Sequence, residues 1–336
     1  MTIRPAKPDD CHAINAMMVL LIDEIYARES EEVRQVLKAN FTNEALKELC
    51  VDEQSMMVAV ADDGKVVAFL FGWLFHFVFT IYWIYCQKEY RGKRVIKDLL
   101  ARVESDLIAK GCYKIEMYAY AEHNRFLDFA VRFGFQKGVL LEKTMFGFKI
   151  QKIYKYIADL EKAPVERKIK ILGEAGQGVK LLSYTMASIL TELGYEVSLN
   201  LEYDAAVRSG SINADLIYSE RPIENPIIDE ADVLIKFTRN REWFPAKALV
   251  IDESFCGSEE LRCEILSHKG TLYGFENVAI SLFGGKVYIN MIALGRILRY
   301  IGINILLLNI AELLPEKSVE KNLEAVKYGF NFRDAI

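Results

Sequence analysis

Twenty-one consecutive residues without a charged side chain constrain the fold of this chain more than any other feature. The stretch VVAFLFGWLFHFVFTIYWIYC, residues 66–86, contains no Asp, Glu, Lys or Arg and is long enough to cross a bilayer as one helix. Its composition favours a sheet, because aromatic and β-branched residues are dense and Gly72, His76 and Thr80 interrupt the run. The turn sequence ADDGK precedes it. We therefore predict two buried strands joined near His76, with a membrane helix as the alternative.

Composition excludes several classes of protein. The chain has 336 residues, of which 52% are hydrophobic, and this length predicts two domains rather than one core. A net charge of −5 gives no basic surplus, so nucleic acid is not an expected partner. The six cysteines contain no C-x-x-C pair, which predicts reduced thiols in a cytoplasmic protein and neither a metal nor an iron–sulfur site. The segment MTIRPAKPDD has no apolar core, so we expect no signal peptide.

The first half of the chain predicts a mixed α/β domain over residues 1–150. The predicted helices lie at 9–26, 43–49 and 126–133, and the predicted strands at 56–61, 66–74, 80–86 and 113–120. A further helix is amphipathic, because Val95, Leu99, Val103 and Leu107 recur every four positions. The charged segment that follows this domain, QKIYKYIADLEKAPVERK, is predicted to be a linker helix over residues 151–167.

The pattern restarts beyond the linker and predicts a second α/β domain over residues 168–336. The segment KIKILGEAGQGVKLLSYTMASILTELG indicates a strand, a glycine turn and a helix with an apolar face. Further strands are predicted at 196–202, 214–218, 233–237 and 248–251, and closing helices at 290–300 and 318–330. The second domain is therefore predicted to be a sheet flanked by helices.

The segment YRGKRVIKDLL, residues 90–100, lies where a strand passes into a helix, and the free amides of such a helix start can bind a phosphate. With IRPAKPDD before it and NRFLDFAVRFGF after it, this segment resembles the GNAT acetyltransferase superfamily over about residues 1–150. The resemblance implies a GNAT-like fold that binds CoA or acetyl-CoA through loop amides and a splayed strand. The implied CoA-binding residues are Cys86, Arg91, Gly92, Lys93, Arg94, Val95, Ile96 and Asn124.

The sequence departs from the GNAT pattern at working positions. Arg94 and Ile96 stand where the family has glycines that let a pyrophosphate approach the backbone. Ala130 stands where many members have a tyrosine that acts as general acid. Proton transfer by such a side chain commonly increases the reaction rate about 10²–10⁴-fold. Four other side chains could either transfer a proton or serve packing and turns: Tyr118, Tyr120, His76 and His123. We assign no catalytic residue.

The segment GEAGQGV, residues 173–179, also follows a strand and opens a helix, so it is either an anion-binding turn or a tightly packed one. Its spacing does not fit G-x-G-x-x-G, which argues against NAD. With the blocks at residues 202–237, 289–298 and 320–330, it resembles the gamma-type subunit of 2-oxoacid:ferredoxin oxidoreductases over about residues 168–332. The resemblance implies a Rossmann-like α/β domain. Its implied loop and interface residues are Gly173, Gly176, Gln177, Gly178, Tyr203, Arg208, Gly210 and Asn290.

Three functions are consistent with these resemblances. The first is a gamma-type oxidoreductase component with a GNAT-like domain, since CoA is common to both families; the resemblance then implies partner subunits that carry thiamine diphosphate and iron–sulfur clusters. The chain itself lacks a thiamine diphosphate motif and a cysteine array for electron transfer. The second is an acetyltransferase whose second domain senses or docks a ligand. The third is a non-catalytic regulatory or assembly protein.

Overall fold

The computed structural model describes residues 1–39, 41–142, 144, 147–163, 165–203, 210–237, 244–252, 271–314 and 318–331. The chain divides into two compact units, Met1–Ala163 and Pro164–Ile336. Each unit has its own sheet, with seven strands in the first and six in the second among the described residues.

The first unit is built on a seven-stranded sheet. Its strands, in chain order, are β1 (Thr2–Pro5), β2 (Ser55–Asp62), β3 (Lys65–Phe75), β4 (Val78–Cys86), β5 (Lys114–Tyr120), β6 (Gln136–Leu141) and β7 (Ile150–Tyr156). Their order across the sheet is β1-β2-β3-β4-β5-β7-β6. Neighbouring strands run antiparallel except β4 and β5, which run parallel. The prediction of a mixed α/β domain is confirmed.

The uncharged stretch forms two strands, as its composition predicts. Residues 66–86 lie in β3 and β4, and His76 and Phe77 between them have positive φ angles of 44° and 61°. The preceding turn contains Asp63 and Gly64, which also have positive φ. Across the described ranges, no helix is long and apolar enough to span a membrane. The aromatic and β-branched residues of this stretch therefore belong to two strands of a sheet.

Five helices occur among the described residues of the first unit: α1 (Cys11–Ile25), α2 (Glu31–Ala39), α3 (Asn43–Val51), α4 (Val95–Ala109) and α5 (Asn124–Arg132). The four apolar positions of α4 that recur every four residues are all buried, and they pack with Leu70, Phe79, Ile115 and Ile153 of the sheet. α2 was not predicted from the sequence; it is a charged helix with Leu37 as its one buried residue. A helix with so little apolar surface gives a weak periodic signal.

The predicted linker helix over residues 151–167 is wrong. Residues 150–156 form β7, which pairs with β5 on one side and β6 on the other, so the first sheet extends past the predicted boundary at residue 150. Ile150, Lys152 and Ile153 are buried in this strand, and its remaining residues are half-buried. Burial between two strands determines the structure here and overrides the helical propensity of the charged residues.

The second unit is a mixed sheet covered by helices. Its described strands are β8 (Arg167–Glu174), β9 (Glu196–Tyr203), β10 (Ser211–Ser219), β11 (Ala231–Lys236), β12 (Ala246–Asp252) and β13 (Thr271–Tyr273). Its described helices are α6 (Val179–Glu192), α7 (Phe275–Phe283), α8 (Ile289–Tyr300) and α9 (Val319–Asn331). The order β13-β12-β11-β8-β10-β9 has parallel strands up to β8 and antiparallel strands beyond it. This arrangement confirms the predicted second α/β domain.

Candidate functional site

A gap opens between β4 and β5 of the first unit. The two strands pair only from Val78 to Ile81 and from Lys114 to Met117, although both continue toward their carboxyl ends. Residues 83–86 of β4 remain paired with β3 on their other side. Backbone groups of β4 that face the gap therefore have no strand partner in β5.

A β-bulge at Tyr82 accounts for this gap. Phe71 pairs with Trp83 and Gly72 pairs with Ile81, so Tyr82 is the extra residue, one position beyond the last pair between β4 and β5. A bulge bends its strand and increases the local twist, which directs the end of β4 away from β5. Gly72 is required opposite the bulge, because a Cβ there would overlap the ring of Phe79 and the carbonyl oxygen of Thr80.

The loop after β4 leads directly into α4 and exposes backbone. Gly92 has a φ of 80°, and a Cβ at this residue would meet nothing within 4 Å. Arg94 is the N-cap of α4 and has a φ of 64°, so it adopts the left-handed conformation that glycine favours. Its side chain does not cap the helix. The amides of the first turn and the positive end of the helix dipole are thus available to an anion.

Arg91 forms an ion pair within the first unit. Its Nη1 and Nη2 atoms lie 2.6 and 2.8 Å from the two carboxylate oxygens of Glu24 in α1, and Nε donates to the carbonyl oxygen of Cys86 at 3.1 Å. The guanidinium also lies over the ring of Tyr85. These hydrogen bonds lower the pKa of Glu24 and raise that of Arg91. Arg91 therefore anchors the start of the loop to α1.

The other predicted residues of the first site differ in accessibility. Cys86 is buried, and burial raises the pKa of its thiol, so this side chain serves packing. Val95 is also buried, Ile96 packs against the core, and Lys93 lies over the ring of Tyr90. Asn124 begins α5 and is exposed. The accessible elements are thus the backbone of the loop and the side chains of Lys93, Arg94 and Asn124.

Candidate proton-transfer groups are mostly engaged in packing. Tyr120 contacts the rings of Tyr26 and Phe148, and burial raises its pKa. Ala130 is buried in the core. His123 precedes α5, stacks on Phe126, and has a pKa lowered mainly by burial, with the charges of Glu24 and Arg91 acting in opposite directions. His76 and His123 both lie in connections between elements, His76 between β3 and β4 and His123 directly before α5.

A glycine turn joins β8 to α6 in the second unit. Gly176 and Gly178 have φ angles of 91° and 79°, and Gly178 is the N-cap of α6. Gln177 closes the turn: its Oε1 accepts from the backbone N–H of Glu174 at 2.7 Å, and its own N–H donates back to the carbonyl of Glu174 at 3.1 Å. A Cβ on Gly173 would overlap Val179. Because its N-cap is a glycine, α6 begins without a capping side chain at that position.

Asn290 of α8 lies against this turn. A Cβ on Gly178 would overlap the Asn290 carboxamide, so glycine is required by this approach as well as by its φ angle. The Asn290 side chain is 4% exposed, and its Oδ1 atom has no hydrogen-bond partner within the part of the chain that the structure describes. Five of the eight predicted residues of the second site, Gly173, Gly176, Gln177, Gly178 and Asn290, thus come together.

The remaining predicted residues of the second site lie at its margin. The carbonyl oxygen of Gly210 accepts from the backbone N–H of Ala175 at 3.2 Å, which ties the start of β10 to the turn. Tyr203 ends β9 and is 56% exposed. Arg208 lies outside the described residues.

One residue of the first unit, Glu24, was not predicted from the sequence. Its contact with Arg91 spans 67 positions and therefore leaves no local pattern.

Comparisons with known proteins divide the chain in the same two parts. Residues 18–135 match the model of the acetyltransferase (GNAT) family, and residues 168–332 match the model of the pyruvate ferredoxin/flavodoxin oxidoreductase family. A 2-oxoglutarate synthase subunit KorC from Archaeoglobus fulgidus is 25% identical over 173 residues, which cover 50% of this chain and 88% of that protein.

Two solved structures are similar to one part of the chain each. The PaiA N-acetyltransferase from Thermoplasma acidophilum, in complex with coenzyme A, is 20% identical, with a TM-score of 0.41 and coverage of 46% of this chain and 98% of that one. The gamma subunit of a keto/oxoacid ferredoxin oxidoreductase from Geobacter sulfurreducens is also 20% identical, with a TM-score of 0.37 and coverage of 49% and 95%.

Proposed function

Because the chain joins a GNAT-family domain to a gamma-type domain of the pyruvate ferredoxin/flavodoxin oxidoreductase family, we propose that it is the gamma-type component of a CoA-dependent 2-oxoacid:ferredoxin oxidoreductase. The observation that carries this proposal is the match of residues 168–332, together with the similarity to a 2-oxoglutarate synthase subunit over 88% of that subunit. The N-terminal domain then contributes a CoA site.

The backbone of the first unit fits CoA. The gap between β4 and β5 leaves strand groups free to hydrogen-bond an extended amide chain such as pantetheine. The start of α4, with open space at Gly92, suits a pyrophosphate. When bound, CoA would supply a thiol that carries the acyl group.

Two residues of the loop have separate roles in this proposal. Arg91 holds the loop against α1 through its ion pair with Glu24. CoA would then be bound by the backbone of the loop and not by the Arg91 side chain. Arg94 retains the backbone conformation of the glycine it replaces and adds a positive charge near the helix start. The positive charge favours phosphate binding. The bulk of the Arg94 and Ile96 side chains, however, narrows the space through which a phosphate reaches the backbone of the loop.

The second unit serves assembly in this proposal. Thiamine-diphosphate-binding and iron–sulfur subunits would provide the redox chemistry, because the sequence contains no thiamine diphosphate motif and no cysteine array. The chain alone is then expected not to transfer electrons from a 2-oxoacid to a viologen dye, even with CoA present.

Acetyl transfer is the second candidate function, and the gap between β4 and β5 favours it. The domain would then use acetyl-CoA and an amine acceptor, with the second unit as a ligand-sensing or docking domain. Against it stands Ala130, a buried residue without a titratable group at the position of the expected general acid. Tyr118 does not replace this general acid in the proposal, since its ring packs under the ammonium group of Lys152.

Anaerobic purification of the chain from its native cell tests the proposal. Co-purification of subunits that contain thiamine diphosphate and iron–sulfur clusters, with 2-oxoacid- and CoA-dependent dye reduction by the complex, is the expected result. Recovery of the chain alone, with CoA bound and an amine acceptor acetylated, would instead support the transferase. Recovery of the chain alone with neither activity would leave the regulatory function as the better account.

A further inference from the structure

Two thiols of the first unit lie in contact although they are far apart in the sequence. Cys11 is the first residue of α1, and Cys50 is the penultimate residue of α3. Both are free thiols, and their Sγ atoms are 3.5 Å apart. The two sulfur atoms therefore need to approach by only about 1.5 Å to reach the length of a disulfide bond.

One of the two thiols is held in place, and the other lies at the end of a helix. The Arg4 guanidinium donates to both carboxylate oxygens of Asp10, the N-cap of α1, at 2.6 and 3.0 Å, and Cys11 beside it is fully buried. Cys50 is half-buried, and α3 ends at the next residue, Val51, which is 75% exposed. Because helix ends fray, the small approach falls on the end of α3.

We propose that Cys11 and Cys50 form a reversible disulfide that clamps α1 to α3 under oxidising conditions. The oxidant is a disulfide of low molecular weight. The thiolate of Cys50, which solvent reaches, attacks one sulfur of the oxidant and displaces a thiolate, which leaves a mixed disulfide at Cys50. The Cys11 thiolate then attacks Cys50 Sγ and displaces the second thiolate. The two cysteines lose two protons and two electrons, and the oxidant leaves as two thiols.

The surroundings of the pair make this exchange slow at neutral pH. Burial raises the pKa of both thiols, that of Cys50 to about 12, and the negative charge of Asp10 acts in the same direction. The Sγ atom of Cys50 also lies 3.9 Å from the thioether sulfur of Met57 in β2, which is a weak acceptor. Because only a thiolate attacks a disulfide, we expect the rate to rise about tenfold for each pH unit between pH 7 and 9.

The disulfide stabilises the first unit because it closes a long loop in the unfolded chain. Cys11 and Cys50 are separated by 39 positions, and a cross-link between them restricts the unfolded state. The temperature at which the first unit unfolds should therefore rise by roughly 5–10 °C on oxidation. The clamp involves neither CoA nor a partner subunit, so it does not depend on the proposed function.

Incubation of the full chain with bis(hydroxyethyl) disulfide at pH 7, 8 and 9 tests the clamp. After trypsin digestion without reductant, mass spectrometry should find the peptide that contains Cys11 linked to the peptide that contains Cys50. The linked fraction should grow about tenfold faster per pH unit and disappear on treatment with dithiothreitol. Circular dichroism of the oxidised chain, before and after dithiothreitol, measures the shift in unfolding temperature.

Two variants serve as controls. Cys50→Ser should show neither the linked peptides nor the thermal shift. Cys112→Ala removes another buried thiol of the same unit and should retain both. If a variant does not fold, the measurements on the wild-type chain decide by themselves. The proposal is overturned if the linked peptides are absent after a day at pH 9, if they form only in urea, or if the linked chain unfolds at no higher temperature than the reduced chain.

Discussion

The ion pair between Arg91 and Glu24 makes the loop after β4 sensitive to acid. Two hydrogen bonds from Arg91 lower the pKa of Glu24 below its ordinary value of 4.5. A carboxylate with a lowered folded-state pKa stabilises the fold above its unfolded pKa, and this stability is lost as the pH falls through the folded value. The contribution is therefore complete near neutral pH, begins to fall near pH 4.5 and is lost as the pH drops through the lower pKa of the folded state.

We expect Glu24→Gln to reduce the free energy of unfolding by about 1 kcal/mol or less at pH 7, because both side chains are more than one-third exposed and solvent weakens the pair. Urea denaturation at several pH values between 3 and 7 measures the loss, which should diminish as the pH falls below 4.5. Glu53→Gln is the matched control: among the described residues Glu53 is exposed and forms no ion pair, so its variant should match wild type. An equal loss in both variants contradicts a specific role for the pair.

At the scale of elements, α8 and α9 cross with backbone against backbone. A Cβ on Gly295 would overlap the carbonyl oxygen of Val326, and one on Gly329 would overlap that of Ile292. We expect Gly295→Ala to destabilise the second unit by about 1–3 kcal/mol through overpacking, although alanine favours helices more than glycine does. Thermal unfolding by circular dichroism measures this change.

The control for this crossing is Gly285→Ala. Gly285 has an extended φ of 175°, and a Cβ at this residue would meet nothing within 4 Å, so the same substitution should change stability by less than about 0.5 kcal/mol. Similar effects of Gly285→Ala and Gly295→Ala would show that the helix crossing tolerates a methyl group. The crossing would then not depend on its small residues.

Elements with strong local patterns could be predicted from the sequence, and contacts between distant residues could not. The buried positions of α4 recur every four residues, and the uncharged stretch of β3 and β4 has the composition of a sheet, so both were predicted correctly. The segment of β7 was mistaken for a helix because only its neighbours β5 and β6 make its burial evident. Likewise, nothing local indicated that Arg94 would keep a left-handed backbone or that Glu24 would hold Arg91.

At the scale of the whole molecule, the extent of the first unit determines which fragments can fold. β7 joins the last strand of the sheet to the rest, since it lies between β5 and β6, and it buries Ile150 and Ile153. The free energy of unfolding of a domain is only about 5–15 kcal/mol. Loss of one strand with hydrogen bonds on two sides therefore removes a large part of that stability.

We expect a fragment of residues 1–163 to unfold cooperatively and a fragment of residues 1–150 to remain unfolded, because the shorter one lacks β7. Heat denaturation followed by circular dichroism, with tryptophan fluorescence as a second probe, distinguishes them. Ile153→Ala in residues 1–163 is the graded intermediate, and it should cost about 2–5 kcal/mol by leaving a cavity at a fully buried position. Cooperative unfolding of residues 1–150 at the same temperature as residues 1–163 would show that β7 is dispensable and that the first domain ends before it.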